Sequence, residues 1–169
     1  TALKTSRCGL TRLEMLNTHF ADKLFFGEVK ISTEDLKKKL NAYDKGITRT
    51  SLLALHAFKE ALQNANLDSA KLQSKETAFI SASTVGGMCL TDEMYADANS
   101  TTEGSEYLSS YDFASSTLYL QKHFGIGGPV NTINTACSSS ANAIMYGARL
   151  IKQGLAKRAI VGGVDSLSK

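Results

Sequence analysis

The chain has 169 residues, of which 43% are hydrophobic and 21% are charged, so it has the composition of a globular protein and not of a disordered tail. Its net charge of +3 is too small to indicate nucleic acid as a partner. No apolar run approaches the roughly 20 residues that cross a bilayer, and the N-terminus lacks a charged segment leading into an apolar signal core, so the sequence predicts a cytoplasmic protein without membrane contact.

The first third of the chain contains two predicted helices. Residues 1–46 are polar and interrupted by glycines, and they include one short helix from Thr33 to Leu40, capped by Ser32 or Thr33. From Thr48 to Ala65, apolar residues recur at spacings of three and four, which predicts an amphipathic helix. We expect that helix to lie on a sheet.

The middle of the chain predicts a strand and a short helix. Thr77–Thr84 has the composition of a strand. The loop Val85–Met88 that follows contains two glycines, which either bring the main chain close to a ligand or only make the turn. A short helix is predicted from its cap, Thr91, to Asn99, with Met94 and Tyr95 facing inward.

A loop, a helix and a strand follow. Asn99–Ser110 is rich in Ser, Thr, Glu and Gly and predicts a surface loop. Ala114–Phe124 predicts a helix that ends at Gly125. Val130–Thr135 alternates β-branched residues with asparagines, which predicts a strand that runs into a tight turn. Cys137 lies at that turn.

A second helix and a further strand are predicted after this cysteine. From Ser138 the chain has no charge until Arg149, and small or apolar residues recur at helical spacings: Ala143, Ile144, Gly147, Ala148 and Ile151. The serines at the start suit helix capping, Arg149 and Lys152 suit the negative end of the helix dipole, and Gly154 ends the helix. Arg158–Val164 is an apolar run of strand length, so strand, helix and strand predict a parallel βαβ unit with a right-handed crossover.

The predicted position of Cys137 at a helix N-terminus affects its reactivity as a nucleophile. A thiol at a helix N-terminus faces unpaired N–H groups and the positive end of the helix dipole, which favour the nucleophilic thiolate. The same N–H groups can stabilise the oxygen of a tetrahedral adduct on that sulfur, so acyl transfer is the natural chemistry. The alternative is a small, buried, unreactive residue. Because Cys8 and Cys89 form no CxxC pair with it, we expect reduced thiols, no metal and no cofactor.

Two segments carry a resemblance to a known family. The run NTACSSSANAI, followed by GARLIKQGLAKRAIVGGVD, resembles the active-site region of elongating β-ketoacyl-[acyl carrier protein] synthases, in which T-A-C-[SA]-S-S precedes a helix and an I-V-G-G-x-D strand. The resemblance covers the chain from about Leu36 onward. It implies the thiolase-like fold, in which two α/β halves stack in five layers.

The order of predicted elements indicates an α/β fold with a mostly parallel sheet covered by helices on both faces. The resemblance makes this the N-terminal half of the thiolase-like fold, so residues 1–169 are expected to be an N-terminal β-ketoacyl synthase domain. Nothing before Cys8 is apolar enough for a buried parallel strand. The family's first strand is therefore expected to be absent. The resemblance covers only the first half of the fold, so the C-terminal half is also expected to be absent and the chain to be a truncated or proteolysed part of a longer enzyme.

The resemblance also implies a reaction. Cys137 is expected to take an acyl group from an acyl carrier protein, and decarboxylative Claisen condensation with malonyl-carrier protein would extend it, in fatty-acid or polyketide synthesis. The backbone N–H of Cys137 would supply one oxyanion donor. The family uses two further catalytic histidines from its second half. Since His19, His56 and His123 match neither, the fragment alone is expected to be inactive.

Partners are implied in the same way. Family members are dimers, so we expect Val130–Thr135 to pair with its counterpart in a homodimer or heterodimer. Acyl carrier proteins are acidic, and the basic run Lys37–Lys39 is either a contact for one or a solvated face. Arg49 resembles the arginine of an Asp-Arg pair in the family, whose aspartate is replaced here by Thr48.

The sequence leaves three alternatives open. A chain-length factor, the non-catalytic partner of some polyketide synthases, usually lacks the cysteine that is present here as Cys137. An α/β protein that binds an acyl chain or a carrier protein without turnover is the second alternative. A cysteine hydrolase is the third, but it needs a histidine and an Asn or Asp for which no motif is visible.

Overall fold

The computed structural model describes residues 4–100, 102 and 104–168, so residues 101 and 103 of the predicted loop Asn99–Ser110 lie outside the described part. The described residues form six α-helices and three strands, and none of these helices is long and apolar enough to cross a membrane. Their bounds are α1 Thr33–Leu40, α2 Arg49–Asn64, α3 Ser69–Gln73, β1 Thr77–Ala82, α4 Thr91–Ser100, α5 Ser115–Phe124, β2 Val130–Ile133, α6 Ser139–Lys152 and β3 Arg158–Val161. Short 3₁₀ turns lie at Met88–Leu90, Leu108–Ser110 and Ala136–Ser138.

β1 is the centre of a parallel three-stranded sheet whose order is β2-β1-β3. Phe79 of β1 is in register with Val130 on one side and with Ile160 on the other. The predicted parallel arrangement of β2 and β3 is confirmed, but β1 lies between them. This order brings the carboxyl ends of all three strands to one edge of the sheet.

The side chains of β1 alternate between two hydrophobic clusters on opposite faces of the sheet. Phe79 belongs to a cluster that includes residues of α1, α2 and α5, and its ring lies edge-on to that of Phe58 with 5.1 Å between the ring centroids. Ala78, Ile80 and Ala82 pack against α6. All six residues of β1 are buried, as expected for a parallel strand covered on both sides. The predicted α/β sheet with helices on both faces is therefore confirmed.

Both helices predicted in the first third of the chain are confirmed. Ser32 caps α1 and Thr48 caps α2, in each case with a side-chain oxygen that accepts the N–H three residues later. Arg49, the first residue of α2, donates to the carbonyls of Val29 and Ile31. In this chain the arginine therefore holds the N-terminal segment against α2.

The predicted details of α4 are partly wrong. Thr91 does not cap this helix, because the turn Met88–Leu90 runs directly into it and Thr91 already has helical dihedral angles, φ −56° and ψ −42°. Its hydroxyl instead donates to the carbonyl of Met88 at 2.7 Å. Tyr95, predicted to face inward, is 72% exposed.

α6 lies close to the sheet because its buried face is built mainly from small residues. The buried positions recur at helical spacing: Ser139, Ala143, Gly147 and Leu150. A Cβ on Gly147 would lie 2.5 Å from Cγ1 of Val161, so a side chain there would force the helix away from β3. Of the small and apolar residues by whose helical spacing the sequence predicts α6, only Ala143 and Gly147 are buried. Ile144, Ala148 and Ile151 are exposed because they lie on the other side of the helix.

The two adjacent glycines after β3 differ in their surroundings. A Cβ on Gly163 would collide with Oγ of Ser140 in α6 and would lie 3.1 Å from Cβ of Ala82 at the end of β1. A Cβ on Gly162 would have no atom within 4 Å. Packing at the end of the sheet therefore requires a glycine at position 163 but not at position 162.

Gly163→Ala is expected to lower the free energy of unfolding by about 1–3 kcal/mol, the usual cost of overpacking. Gly162→Ala is the matched control, since both variants reduce the freedom of the unfolded chain equally, and it should raise that free energy by at most about 1 kcal/mol. Denaturant unfolding of the two variants measures the difference. Equal unfolding midpoints for the two variants would contradict the conclusion that packing requires a glycine at position 163 but not at position 162.

Candidate functional site

The carboxyl ends of the three parallel strands border a cavity of about 390 Å³. Its walls are made by residues 82–85 after β1, by residues 136, 137, 139 and 140 between β2 and the first turn of α6, and by residues 163–165 after β3. Parallel α/β sheets bind their ligands at this edge, where the strand order brings separate loops together. The cavity is therefore the candidate site.

Cys137, the predicted nucleophile, lines this cavity and is an exposed, free thiol. It is the middle residue of the 3₁₀ turn Ala136–Ser138, which leads from β2 into the 14-residue helix α6. The structure thus places the thiol between a strand and a helix N-terminus, where unpaired N–H groups and the helix dipole attract negative charge. Cys137 is exposed in this chain, whereas the alternative interpretation expects a small, buried, unreactive residue.

The sequence predicts that the serines at the start of α6 cap the helix, and the structure shows that this prediction is wrong. Ser138 makes no side-chain capping bond, and its hydroxyl donates to the carbonyl of Thr135 at 2.8 Å. Oγ of Ser139 accepts the N–H of Thr135 at 2.8 Å, and Nδ2 of Asn142 donates to Oγ1 of Thr135 at the same distance. The intervening 3₁₀ turn directs these polar side chains to the end of β2 instead of the helix N–H groups. They stabilise the turn that carries Cys137.

The residue before the cysteine has a strained main-chain conformation. Ala136 has a φ of 52°, in the left-handed region, which costs a residue with a Cβ about 1–2 kcal/mol. Its carbonyl accepts two hydroxyl groups, from Oγ of Ser139 at 2.6 Å and from Oγ1 of Thr84 at 3.2 Å. Each such bond contributes about 1 kcal/mol, so the pair offsets the strain.

A carboxylate after β3 completes this network. Asp165 accepts the hydroxyl of Ser83 at 2.8 Å, the N–H of Thr84 at 3.0 Å and the N–H of Val85 at 3.1 Å. The strands Thr77–Thr84 and Arg158–Val164 are predicted from the sequence, but the contact between Thr84 and Asp165 is not. The polar residues at the ends of the predicted strands were a partial signal, because the carboxyl ends of parallel strands meet at one edge of the sheet. The strand order that makes β1 and β3 neighbours is not visible in the sequence.

The other polar residues considered from the sequence lie elsewhere. Among the described residues that line the cavity there is no histidine. Nε2 of His56 lies 3.2 Å from Nζ of Lys39, and Lys37 pairs with Glu34 at 3.0 Å. Within the described part of the chain, no group of three His, Cys, Asp or Glu side chains could hold a metal ion.

Known sequences match most of the chain. The family model of the β-ketoacyl synthase N-terminal domain matches residues 24–169. Probable polyketide synthase 14 of Dictyostelium discoideum is 34% identical over 151 residues, which cover 86% of this chain and 4% of that protein. The ketoacyl synthase alpha subunit of the tetracenomycin polyketide synthase of Streptomyces glaucescens is 26% identical over 140 residues, 76% of this chain and 32% of that protein. The chain therefore spans a third or less of the length of these relatives.

Solved structures share the fold. A ketosynthase, ApeO, in complex with its chain length factor, ApeC, from Xenorhabdus doucetiae has a TM-score of 0.63 and 26% identity over 83% of this chain and 35% of that chain. The complex AntDE:AntF, a type II polyketide synthase acyl-carrier protein with its ketosynthase, has a TM-score of 0.69 and 23% identity over 79% of this chain and 40% of that chain.

The ishigamide ketosynthase/chain length factor has a TM-score of 0.75 over 99% of this chain and 47% of that chain, and at 17% identity it bears on the fold alone. These similarities confirm the predicted thiolase-like fold. The family model covers well over half of the chain, including both strands and the helix around Cys137. The chain belongs to the β-ketoacyl synthase family, of which it represents the N-terminal domain.

Proposed function

We propose that this chain is the N-terminal part of a condensing enzyme in which Cys137 accepts an acyl group from a thioester. One observation carries the proposal: the thiol is exposed at the N-terminal end of α6, on the wall of the cavity at the carboxyl edge of the sheet. That position combines substrate access with N–H groups at a helix N-terminus that can stabilise the oxyanion of an acyl adduct. Membership of a family of condensing enzymes supports the same chemistry.

The first step is acyl transfer to Cys137. The thiolate attacks the carbonyl carbon of the acyl thioester, a new C–S bond forms, and the carbonyl oxygen becomes an oxyanion. The backbone N–H of Cys137 would donate a hydrogen bond to this oxyanion. When the tetrahedral adduct collapses, the original C–S bond breaks and the carrier leaves as a thiolate that takes up a proton.

The second step is condensation. A malonyl thioester loses CO₂, and the electron pair of the broken C–C bond forms an enolate. Its carbon attacks the acyl carbonyl on Cys137, the C–S bond to the enzyme breaks, and a 3-oxoacyl thioester is released. Since His19, His56 and His123 are not among the residues that line the cavity, we assign the polarisation of the malonyl group to residues outside this chain. The chain alone is expected not to catalyse condensation.

We propose an acyl carrier protein as the donor of both groups and polyketide synthesis as the context. The curated relatives named above are polyketide synthases, and one structural neighbour was solved with its acyl-carrier protein. The basic run Lys37–Lys39 lies in the last turns of α1, where Lys38 and Lys39 are exposed. This surface is available to an acidic partner.

Incubation of the whole protein with an acyl-CoA is expected to place one acyl group on Cys137, because thiolate attack on a thioester needs no other covalent group. Peptide mass spectrometry would locate the adduct. Cys137→Ala should abolish it. Cys8→Ala and Cys89→Ala are matched controls with the same chemical change, and they should be acylated like the native protein.

An adduct on Cys8 or Cys89 that survives in the Cys137→Ala variant would contradict the assigned nucleophile. A native protein that forms no adduct would instead support a non-catalytic partner subunit. Peptide mass spectrometry distinguishes the two outcomes, because it shows whether an adduct is present and on which cysteine it lies.

We also propose that β2 pairs with its counterpart in a second subunit. β2 is an edge strand of the described sheet, whose order is β2-β1-β3, and an edge strand offers main-chain groups to another strand. Light scattering of the whole protein is expected to give twice the mass of one subunit, or the summed mass of this protein and a related partner. A monomer at micromolar concentration, both alone and with candidate partners, would refute this pairing.

A further inference from the structure

We propose that Asp165 is a positioning residue that acts through Thr84 to fix the peptide group between Ala136 and Cys137. This inference rests on the proposed function, because that peptide group carries the N–H assigned to the oxyanion. It goes beyond the proposed function by identifying the side chains that hold the oxyanion donor in place. The contacts lead from Asp165 to Thr84, from Thr84 to the carbonyl of Ala136, and from that carbonyl to the N–H of Cys137 in the same peptide group.

Asp165 holds the main chain after β1. A single carboxylate oxygen, Oδ1, accepts the N–H of Thr84 at 3.0 Å, the N–H of Val85 at 3.1 Å and the hydroxyl of Ser83 at 2.8 Å. Hydrogen bonds to an ionised carboxylate are stronger than those between neutral groups. Two consecutive N–H groups directed at one atom define the orientation of the loop, and with it the direction of the Thr84 side chain.

Thr84 passes this constraint to the turn that carries the nucleophile. Its hydroxyl donates to the carbonyl of Ala136 at 3.2 Å and lies 3.4 Å from Oγ of Ser139. Ser139 donates to the same carbonyl at 2.6 Å. The carbonyl of Ala136 is thus held from β1 by one hydroxyl and from α6 by another.

The carbonyl of Ala136 and the N–H of Cys137 belong to one trans peptide group, which is planar. The two groups point in opposite directions, so donors that hold the carbonyl also direct the N–H. Because Ala136 is strained at φ 52°, the peptide is expected to rotate towards a relaxed conformation when a donor is lost. That rotation would turn the N–H away from an adduct on the sulfur of the same residue.

The experiment compares two reactions of Cys137 in the whole protein. Acyl transfer from an acyl-CoA builds an oxyanion, whereas alkylation by iodoacetamide does not. Loss of a complete oxyanion donor costs about 100- to 1,000-fold in rate, so a rotated donor should cost about 10-fold in acyl transfer. Alkylation should change by less than about 2-fold, because it needs only an accessible thiolate.

Thr84→Val removes the hydroxyl and keeps the branched shape, and it should show this selective loss. Thr84→Ser keeps the hydroxyl and should retain the native rate of acyl transfer. Thr91→Val is the matched control, because it removes a hydroxyl bond to a carbonyl, that of Met88, which does not line the cavity. This control should leave both reactions unchanged.

Asp165→Asn is also expected to slow acyl transfer about 10-fold, and the double variant with Thr84→Val should be slowed by about 10-fold, not 100-fold, because both changes act on one contact. If Asp165→Asn does not fold, Asp165→Glu keeps the charge, displaces the carboxylate and should show the same selective loss. A loss of about 100-fold in the double variant, the product of the two single losses, would contradict the proposal that Asp165 acts through Thr84.

Three further outcomes would contradict the positioning role or the proposed function. Native acyl-transfer rates in Thr84→Val, or equal losses of acyl transfer and alkylation, would overturn the positioning role. If the native protein is alkylated on Cys137 but not acylated, the proposed function fails and this inference fails with it. This failure is distinguishable from a failure of the positioning role alone, because it is observed in the native protein and needs no variant.

Discussion

The peptide group between Ala136 and Cys137 is the constraint on which the candidate site depends. Its carbonyl is held by hydroxyl groups from two separate elements, Thr84 after β1 and Ser139 at the start of α6. Because Ala136 has a positive φ, the local chain alone does not favour this geometry, and bonds from the rest of the fold must compensate for the strain. The direction of the cysteine is therefore a property of the assembled sheet as much as of the sequence around it.

The strand order makes that assembly possible. β1 is paired with β2 on one side and with β3 on the other, so the segment after β1 can contact both of its neighbours. Thr84 reaches Asp165, 81 residues away in the sequence, and it also reaches Ala136. If β1 were an edge strand, one of these contacts would have to span a further strand, about 4.8 Å. The small residues Gly147 and Gly163 allow α6 and β3 to lie close enough for the network to form.

Strong local patterns in the sequence were enough to predict the sheet and its main helices, as the agreement of Thr48–Ala65 with α2 shows. The sequence pattern predicts α6 but not which of its faces is buried, because small residues and isoleucines share helical spacings and the close approach of Gly147 to Val161 decides between them. The role of its serines was missed because composition does not distinguish a 3₁₀ turn from a first helical turn. The contact of Thr84 with Asp165 depends on strand order, which no local pattern contains.

The proposed chemistry divides between this domain and the rest of the enzyme. Acyl transfer needs a nucleophile and an oxyanion donor, and the groups that hold both of them belong to the described residues: Thr84, Ser139 and Asp165. Loss of CO₂ needs a second set of polarising groups, and no histidine among the described residues lines the cavity. Under the proposed mechanism, a change at Thr84 would therefore act first on the formation of the acyl-enzyme. Condensation would depend on the same contact because the oxyanion formed during attack of the enolate would develop at the same N–H.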